Sequence, residues 1–436
     1  MAKVCVIGGG TAGHEAAREA ILCGQDVTVL ERSEAHIIPW RSWPDLISSP
    51  GSSAHIIPPA SRGTASSTEI LGEVARLVGP GFVKTARGLR LSSDVVVLAT
   101  GCNFEQRFFP GHRKRGVTVL DGAERYAELG RALGSMDSSV VWGEGVRGLA
   151  VAERLVGSAR SVSLSASYWS YGEPTPPVWA VLSDSASEKG IVISKGSVSR
   201  AVGQGSVEGA VVDGSVISCD SLVFVPRRIP STSPFQGRTG PHGGILVDSR
   251  MRTGVSGVLA SGGCAEIEHG LPPCSSLEGE AAMTGRIAGA NSAGGDLRAS
   301  PVRSVEHRLF GLRWLKAGVG VGSAKSLGLD LQAVSHRWDR YSACTIVYER
   351  RTGRIMGIEA IGPGTSFPIT IPNFASGSES LRTVSYGGVS SSSDISLISD
   401  TARLGLRSWS RSSSAITSKL KDCPSDLRSR STTGRP

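Results

Sequence analysis

The residues best placed to do chemistry in this chain are a set of glycines and one acid close to its start. Gly8-Gly9-Gly10-Thr11-Ala12-Gly13 has the spacing Gly-x-Gly-x-x-Gly, and Glu31 follows it. In a strand-to-helix turn the first glycine of that pattern allows the tight bend. The second lets a pyrophosphate approach the backbone, and the third lets the helix lie close on the strand. The free N–H groups and positive end of the helix then face the phosphates. An acid about 20 residues on accepts hydrogen bonds from a ribose, and Glu31 stands near that distance.

The pattern acquires force from the elements that must hold it. Val4-Cys5-Val6-Ile7 is an apolar run suited to a parallel strand buried on both faces, His14 to Cys23 reads as a helix, and Val27-Thr28-Val29-Leu30 is a second strand ending on Glu31. A second copy occurs at Gly143-Glu144-Gly145-Val146-Arg147-Gly148, after Val140-Val141-Trp142 and before the helix-like Leu149–Leu155. Val162-Ser163-Leu164-Ser165 reads as its second strand. It ends on serine where a ribose-binding acid is expected, and no arginine stands ready for a 2′-phosphate. A nicotinamide nucleotide is expected on Gly143, Gly145 and Gly148, with NADH and NADPH both open, as is a retained fold whose site has weakened.

Composition narrows the field. The chain has 436 residues and a formal charge of +9. From Arg403 onward eight basic residues stand against Asp422 and Asp426, so six of the nine charges sit in a Ser/Arg-rich tail. A near-neutral body does not make a nucleic-acid-binding domain, and the tail reads as solvated and disordered. No apolar run approaches the ~20 residues of a membrane-spanning helix. Met-Ala-Lys leads straight into a strand, so no signal peptide is expected. The eight cysteines form no CxxC pair and no metal-ligand spacing, which suits reduced thiols in the cytoplasm.

Two nucleotide folds in this order resemble the FAD-dependent pyridine nucleotide-disulfide oxidoreductases. Val95–Leu98 with Ala99-Thr100-Gly101 looks like that family's strand and Ala-Thr-Gly turn. Gly244–Asp248, Arg252-Thr253 and Val258–Gly263 look like the approach to its second FAD-binding turn, and Glu278–Ala290 like the long helix after it. Beyond Pro301, Cys344–Glu349 and Ile355–Gly362 read as a hairpin around Thr352-Gly353. With Tyr386 and Asp394, this part is most similar to the C-terminal domain of the coenzyme A-disulfide reductase and NADH oxidase branch. The resemblance implies an α/β fold with two Rossmann-like domains and a C-terminal α+β dimerisation domain. Residues 1–111 and 237–300 would bind FAD, 112–236 would bind NAD(P), 301–408 would dimerise and 409–436 would form the tail. It implies FAD on Gly8, Gly10, Thr11, Ala12, Gly13, Glu31, Ala99, Thr100, Gly101, Gly262 and Gly263, and a two-fold homodimer.

The departures are equally specific. The branch has a redox-active cysteine shortly after the first acid, but His36-Ile37-Ile38-Pro39-Trp40-Arg41-Ser42-Trp43-Pro44 holds none. A serine hydroxyl does not replace a thiolate that attacks a disulfide. Gly263 stands where the family has an aspartate. Val225-Pro226-Arg227 replaces a second Ala-Thr-Gly-like turn, and Tyr386–Asp394 is rich in glycine and serine where the family has proline. Few clear strands are expected between Ser49 and Arg90.

Other candidates are weaker. His269 beside the altered second turn and Tyr386 are proposed catalytic groups; a surface histidine and a packed tyrosine are the plain alternatives. Cys264 with Cys274 matches no redox spacing, and Cys102 reads as structural. Trp40, Trp43, Tyr168 and Trp169 either shield a flavin or form core. The expectation is an NAD(P)H oxidoreductase passing hydride through FAD to oxygen, a quinone-like or metal acceptor, or a sulfur compound. The rival is a degenerate, non-catalytic partner subunit.

Overall fold

The computed structural model describes residues 1–34, 43–50, 67–106, 109–169, 172–268, 278–299, 304–320, 328, 330–351 and 355–363. Residues 1–349 and 355–363 form one compact unit; the other, 350–354 with 364–436, lies almost wholly outside the described residues.

The first fold begins with β1 (Lys3–Ile7), α1 (Thr11–Leu22) and β2 (Asp26–Leu30). Val4 to Ile7 are all buried, as a strand covered on both faces requires. After the short α2 (Asp45–Ser48) come β3 (Ser67–Ile70), the antiparallel β4 (Ala75–Gly79), β5 (Phe82–Thr85) and β6 (Arg90–Ser92), then β7 (Val95–Leu98) and β8 (Cys102–Phe104). The expectation of few strands between Ser49 and Arg90 is thus corrected. These strands are short and follow hairpin geometry, and Gly79-Pro80-Gly81 is the turn joining two of them rather than a break.

The second fold holds β9 (Val117–Val119), α3 (Ala123–Ala132), β10 (Ser138–Glu144), α4 (Gly145–Leu155), β11 (Ser161–Tyr168), α5 (Pro176–Glu188) and β12 (Ile191–Lys195). A three-stranded meander, β13 (Val198–Val202), β14 (Gly209–Val212) and β15 (Ser215–Ser218), precedes β16 (Ser221–Val225) and β17 (Arg228–Pro230). The chain then returns to the first fold through β18 (Ile245–Val247), β19 (Val258–Ala260), β20 (Ala265–Ile267) and α6 (Glu278–Ser292).

The two main sheets are parallel, with orders β19-β7-β1-β2-β3 and β12-β11-β10-β16-β9. From β1 and from β10 the chain builds outward on one side and later returns to the other, at β7 and at β16, although β9, which precedes β10, already lies beyond β16. The carboxyl ends of β1 and β10 are therefore topological switch points, where open α/β sheets take their ligands. One core joins residues Val4–Ala99 to Ile245–Ala299, so the first fold is discontinuous in sequence.

The remaining strands, β21 (Ser304–Leu309), β22 (Leu312–Gly318), β23 (Leu331–Arg337), β24 (Ala343–Glu349) and β25 (Ile355–Pro363), form an antiparallel sheet of order β21-β22-β25-β24-β23. The β24–β25 pairing is the one expected from the sequence, although Thr352–Arg354 lie outside the described residues. Leu309, Leu312, Trp314, Ala343 and Ile361 of this sheet share a core with Leu149, Leu155, Val178 and Leu182 of α4 and α5.

Candidate functional site

The first glycine turn is shaped by close backbone approaches. Gly8 has φ +106°, and a Cβ there would lie 2.3 Å from the Ala99 carbonyl oxygen, so the Ala99-Thr100-Gly101 turn presses directly on it. A Cβ on Gly13 would sit 1.7 Å from the Gly8 oxygen, which leaves glycine as the residue that fits. A Cβ on Gly10 would meet nothing within 4 Å. Gly10 is the N-cap of α1, with no capping side chain and no acid in the first turn, Thr11 and Ala12 included. Among the described residues the positive end of α1 thus meets no crowding at Gly10, as an anion site requires. Buried Glu31 accepts from the Gly9 N–H at 2.6 Å and the Ser33 N–H at 2.8 Å. A carboxylate has about four acceptor positions, so about two more remain on Glu31.

The second turn packs against the same helix. A Cβ on Gly262 would lie 2.6 Å from the Ala12 Cβ, and the Gly262 N–H donates to Thr284 Oγ1 of α6 at 3.0 Å. The Gly263 carbonyl accepts from the Cys102 thiol at 3.4 Å. Glu266, the next acid along, is committed elsewhere: its carboxylate takes the His242 and Gly244 N–H groups. Burial pushes the Cys102 thiol up to about 12, although Arg228 and Arg147 pull it down. The fully buried Cys264 donates to the Leu98 and Ser261 oxygens and is likewise raised by burial. Both remain thiols at neutral pH, and a thiol is a poor nucleophile. Cys274, His269, Tyr386, Asp394, Trp40 and Ser42 lie outside the described residues.

The second glycine turn has the same frame. Gly143 has φ +127° and its Cβ would lie 2.2 Å from the Val225 oxygen; one on Gly148 would lie 2.7 Å from Leu164 Cδ1. Its surroundings differ. The Glu144 carboxylate caps α4 by accepting from the Arg147 N–H at 2.7 Å, and the Arg147 guanidinium donates to the Pro226 oxygen. The Trp169 indole covers Gly145, where a Cβ would lie 2.6 Å from three ring atoms. That indole meets Trp179 and Trp314 edge-on, at 5.8 and 6.4 Å between centroids. The β11 strand also runs past Ser165 to Tyr168, which corrects the shorter strand expected. Ile7 pairs with Leu30, just before Gly8 and Glu31, whereas Gly143 pairs with Ala166. The place of Glu31 is therefore taken by Ala166 rather than Ser165.

The described members of the aromatic set, Trp43, Tyr168 and Trp169, do not form one shield. Trp43 lies against Phe104 and Tyr126, while Trp169 belongs to the second turn. The Tyr168 hydroxyl is buried without a hydrogen-bond partner among the described residues, and burial pushes the phenol well above its ordinary value. Glu144 was legible as an acid inside the second glycine turn; nothing in the spacing signalled Trp169. A cavity of about 500 Å³ lined by Arg238, Asp248, Arg252 and Asn291 lies at the starts of β7 and β19, the end of the sheet opposite the glycine turns.

Comparison with known proteins agrees with this geometry. The family described as pyridine nucleotide-disulphide oxidoreductase matches residues 2–293. The chain is 28% identical over 190 residues to an NADH oxidase of Streptococcus pyogenes, covering 39% of this chain and 41% of that protein. It is 27% identical over 275 residues to a rubredoxin-NAD(+) reductase of Pseudomonas putida, covering 60% and 71%. Among solved structures, an NAD-dependent persulfide reductase from A. fulgidus superposes with a TM-score of 0.72 at 22% identity, covering 83% of this chain and 74% of that one. The match to the NADH oxidase thus spans less than half of that relative's length.

Proposed function

The chain belongs to the pyridine nucleotide-disulphide oxidoreductase family, and from that premise we propose that it is an FAD-dependent NAD(P)H oxidoreductase. The observation that carries this reading is the first cradle: a helix N-terminus with no capping side chain and a Gly10 without a close neighbour among the described residues, beside a buried Glu31 with acceptor capacity to spare. These residues fit FAD. The start of α1 would hold the pyrophosphate, Glu31 the ribose, and the Ala99–Gly101 and Gly262-Gly263 turns would close around the rest.

A bound flavin supplies the two-electron chemistry between the nicotinamide and the acceptor. The protein supplies position and environment. Glu31 orients by accepting hydrogen bonds, the Gly8–Ala99 contact fixes the turn, and the packed Ala12 and Gly262 keep water from the cradle floor. No cysteine stands between Cys23 and Cys102, and the buried thiols of Cys102 and Cys264 stay protonated. On this reading the acceptor needs no thiolate at the place after the first acid where the family has one: oxygen, a quinone-like or metal acceptor, or a sulfur compound. The same reading includes a cytoplasmic homodimer. The six described cysteines are all free, and Val334, Trp338 and Tyr341 expose apolar surface on and beside β23.

A second reading, a flavin-binding or empty partner subunit without catalysis, is favoured by the crowded second cradle. One spectrum separates the two. The purified protein should be yellow, and its flavin band should bleach anaerobically with NADH or NADPH. A colourless protein that takes up no added FAD rules out the enzyme. A yellow protein that neither nucleotide bleaches supports the partner subunit.

A further inference from the structure

The two glycine turns of this one chain provide an internal comparison. At the first, position Gly10 has no close neighbour and the helix no capping side chain among the described residues. At the second, the corresponding Gly145 is covered by the Trp169 indole, and the Arg147 N–H of the helix start is already taken by the Glu144 carboxylate. Both occupants are held in place. Trp169 is flanked by Trp179 of α5 and Trp314 of β22, and Glu144 is fully buried with the Arg147 guanidinium 3.5 Å away.

We infer that Glu144 and Trp169 form a built-in plug of the second cradle, which a nicotinamide nucleotide has to displace before it can bind. The plug reproduces the ligand's own chemistry. A carboxylate is an anion at the positive end of a helix, where a pyrophosphate would otherwise sit. The indole covers the glycine whose lack of a side chain serves to admit the phosphates. A pyrophosphate brought beside the retained carboxylate would meet like charge in a site of low dielectric. Ala166 offers no compensating acceptor to a ribose. The Tyr168 hydroxyl, adjacent in sequence to Trp169 and without a hydrogen-bond partner among the described residues, is a donor that gains an acceptor if the plug moves.

The inference rests on the reading that a nicotinamide nucleotide is the ligand of this fold, and its test separates the two. Calorimetric titration of the full-length protein with NADH, and in parallel with ADP-ribose, measures binding without any turnover. Glu144→Gln keeps the shape and removes the charge; Trp169→Ala uncovers Gly145. Each should tighten NADH and ADP-ribose binding about tenfold or more, and NADH should change the tryptophan fluorescence of the wild type but not of Trp169→Phe. Tight binding by the wild type that either substitution weakens, at unchanged flavin content, overturns the plug and leaves the oxidoreductase reading standing. No binding by the wild type or any variant overturns the plug and the nicotinamide reading together. Flavin uptake would still be judged separately by absorbance.

Discussion

Glu31 and Glu144 put the same functional group to opposite ends. Glu31 reaches across from the end of β2 to the Gly9 N–H and does not cap α1, whereas Glu144 turns onto the start of its own helix. His307 shows how burial alone can set a titration. It lies 5.7 Å from the Trp314 ring between centroids, and burial lowers its pKa from 6.5 to about 4, against the opposing pull of Glu144 and Glu306. The folded protein therefore holds it neutral while the unfolded chain protonates it near 6.5. The unfolded state binds more protons between those values, so this contribution is complete above pH 6.5 and is lost as pH falls toward 4. The loss should be about 3.5 kcal/mol at most. Urea unfolding at pH 7.5, 6 and 5 should show a steeper decline for the wild type than for His307→Gln. Parallel declines would count against the assignment.

Helix α1 is positioned by α6 through surfaces without side chains. A Cβ on Gly285 would lie 2.3 Å from the Ala12 oxygen and one on Gly289 2.4 Å from the Ala16 oxygen, so the two backbones are in near contact. Buried Ala16, Ala17 and Ala20 complete the seam on α1. Gly289→Leu should wedge the helices apart and destabilise by about 1–3 kcal/mol or more, as overpacking does. Because α6 also carries Thr284, which holds Gly262, the same variant should lose flavin. Thermal unfolding together with the ratio of flavin to protein absorbance checks both effects, and an unchanged ratio would separate the seam from the cradle. The strands and helices around the two glycine turns were legible because each is a short apolar run or a helix-length stretch beside a glycine pattern. Strands β4 to β6 were not, since three to five residues around Gly79-Pro80-Gly81 carry too little periodicity to tell a strand from a loop.

Beyond single elements, the C-terminal sheet is built onto the second nucleotide fold. Buried Glu359 accepts from Trp314 Nε1 at 3.0 Å and from the Thr175 N–H at 3.1 Å, and Arg337 pairs with Asp184 of α5 at 2.6 Å. Trp314, fully buried, is the centre of this contact and also one wall around Trp169. Trp314→Ala should cost about 3–5 kcal/mol, the usual range for a buried tryptophan. It should also shift the remaining tryptophan emission to the red as Trp169 gains solvent. Urea denaturation followed by fluorescence measures both; a loss below about 1 kcal/mol would mean that the sheet contributes little to holding the second fold.

The sequence by itself determined the two strand–glycine–helix units, their order and the acid at Glu31, because each depends on neighbours within about 30 residues and on backbone space that only glycine leaves. It also determined the lack of a cysteine after the first acid. Tertiary structure alone decided that the two cradles differ. Whether the place opposite Gly143 falls on Ser165 or Ala166 depends on strand register. Whether Gly145 is open depends on an indole 24 positions away in the chain, held by tryptophans from α5 and from a sheet beyond residue 300. Contacts of that range leave no periodicity in the chain. They follow from how finished elements pack, which is where the openness of a binding site is settled.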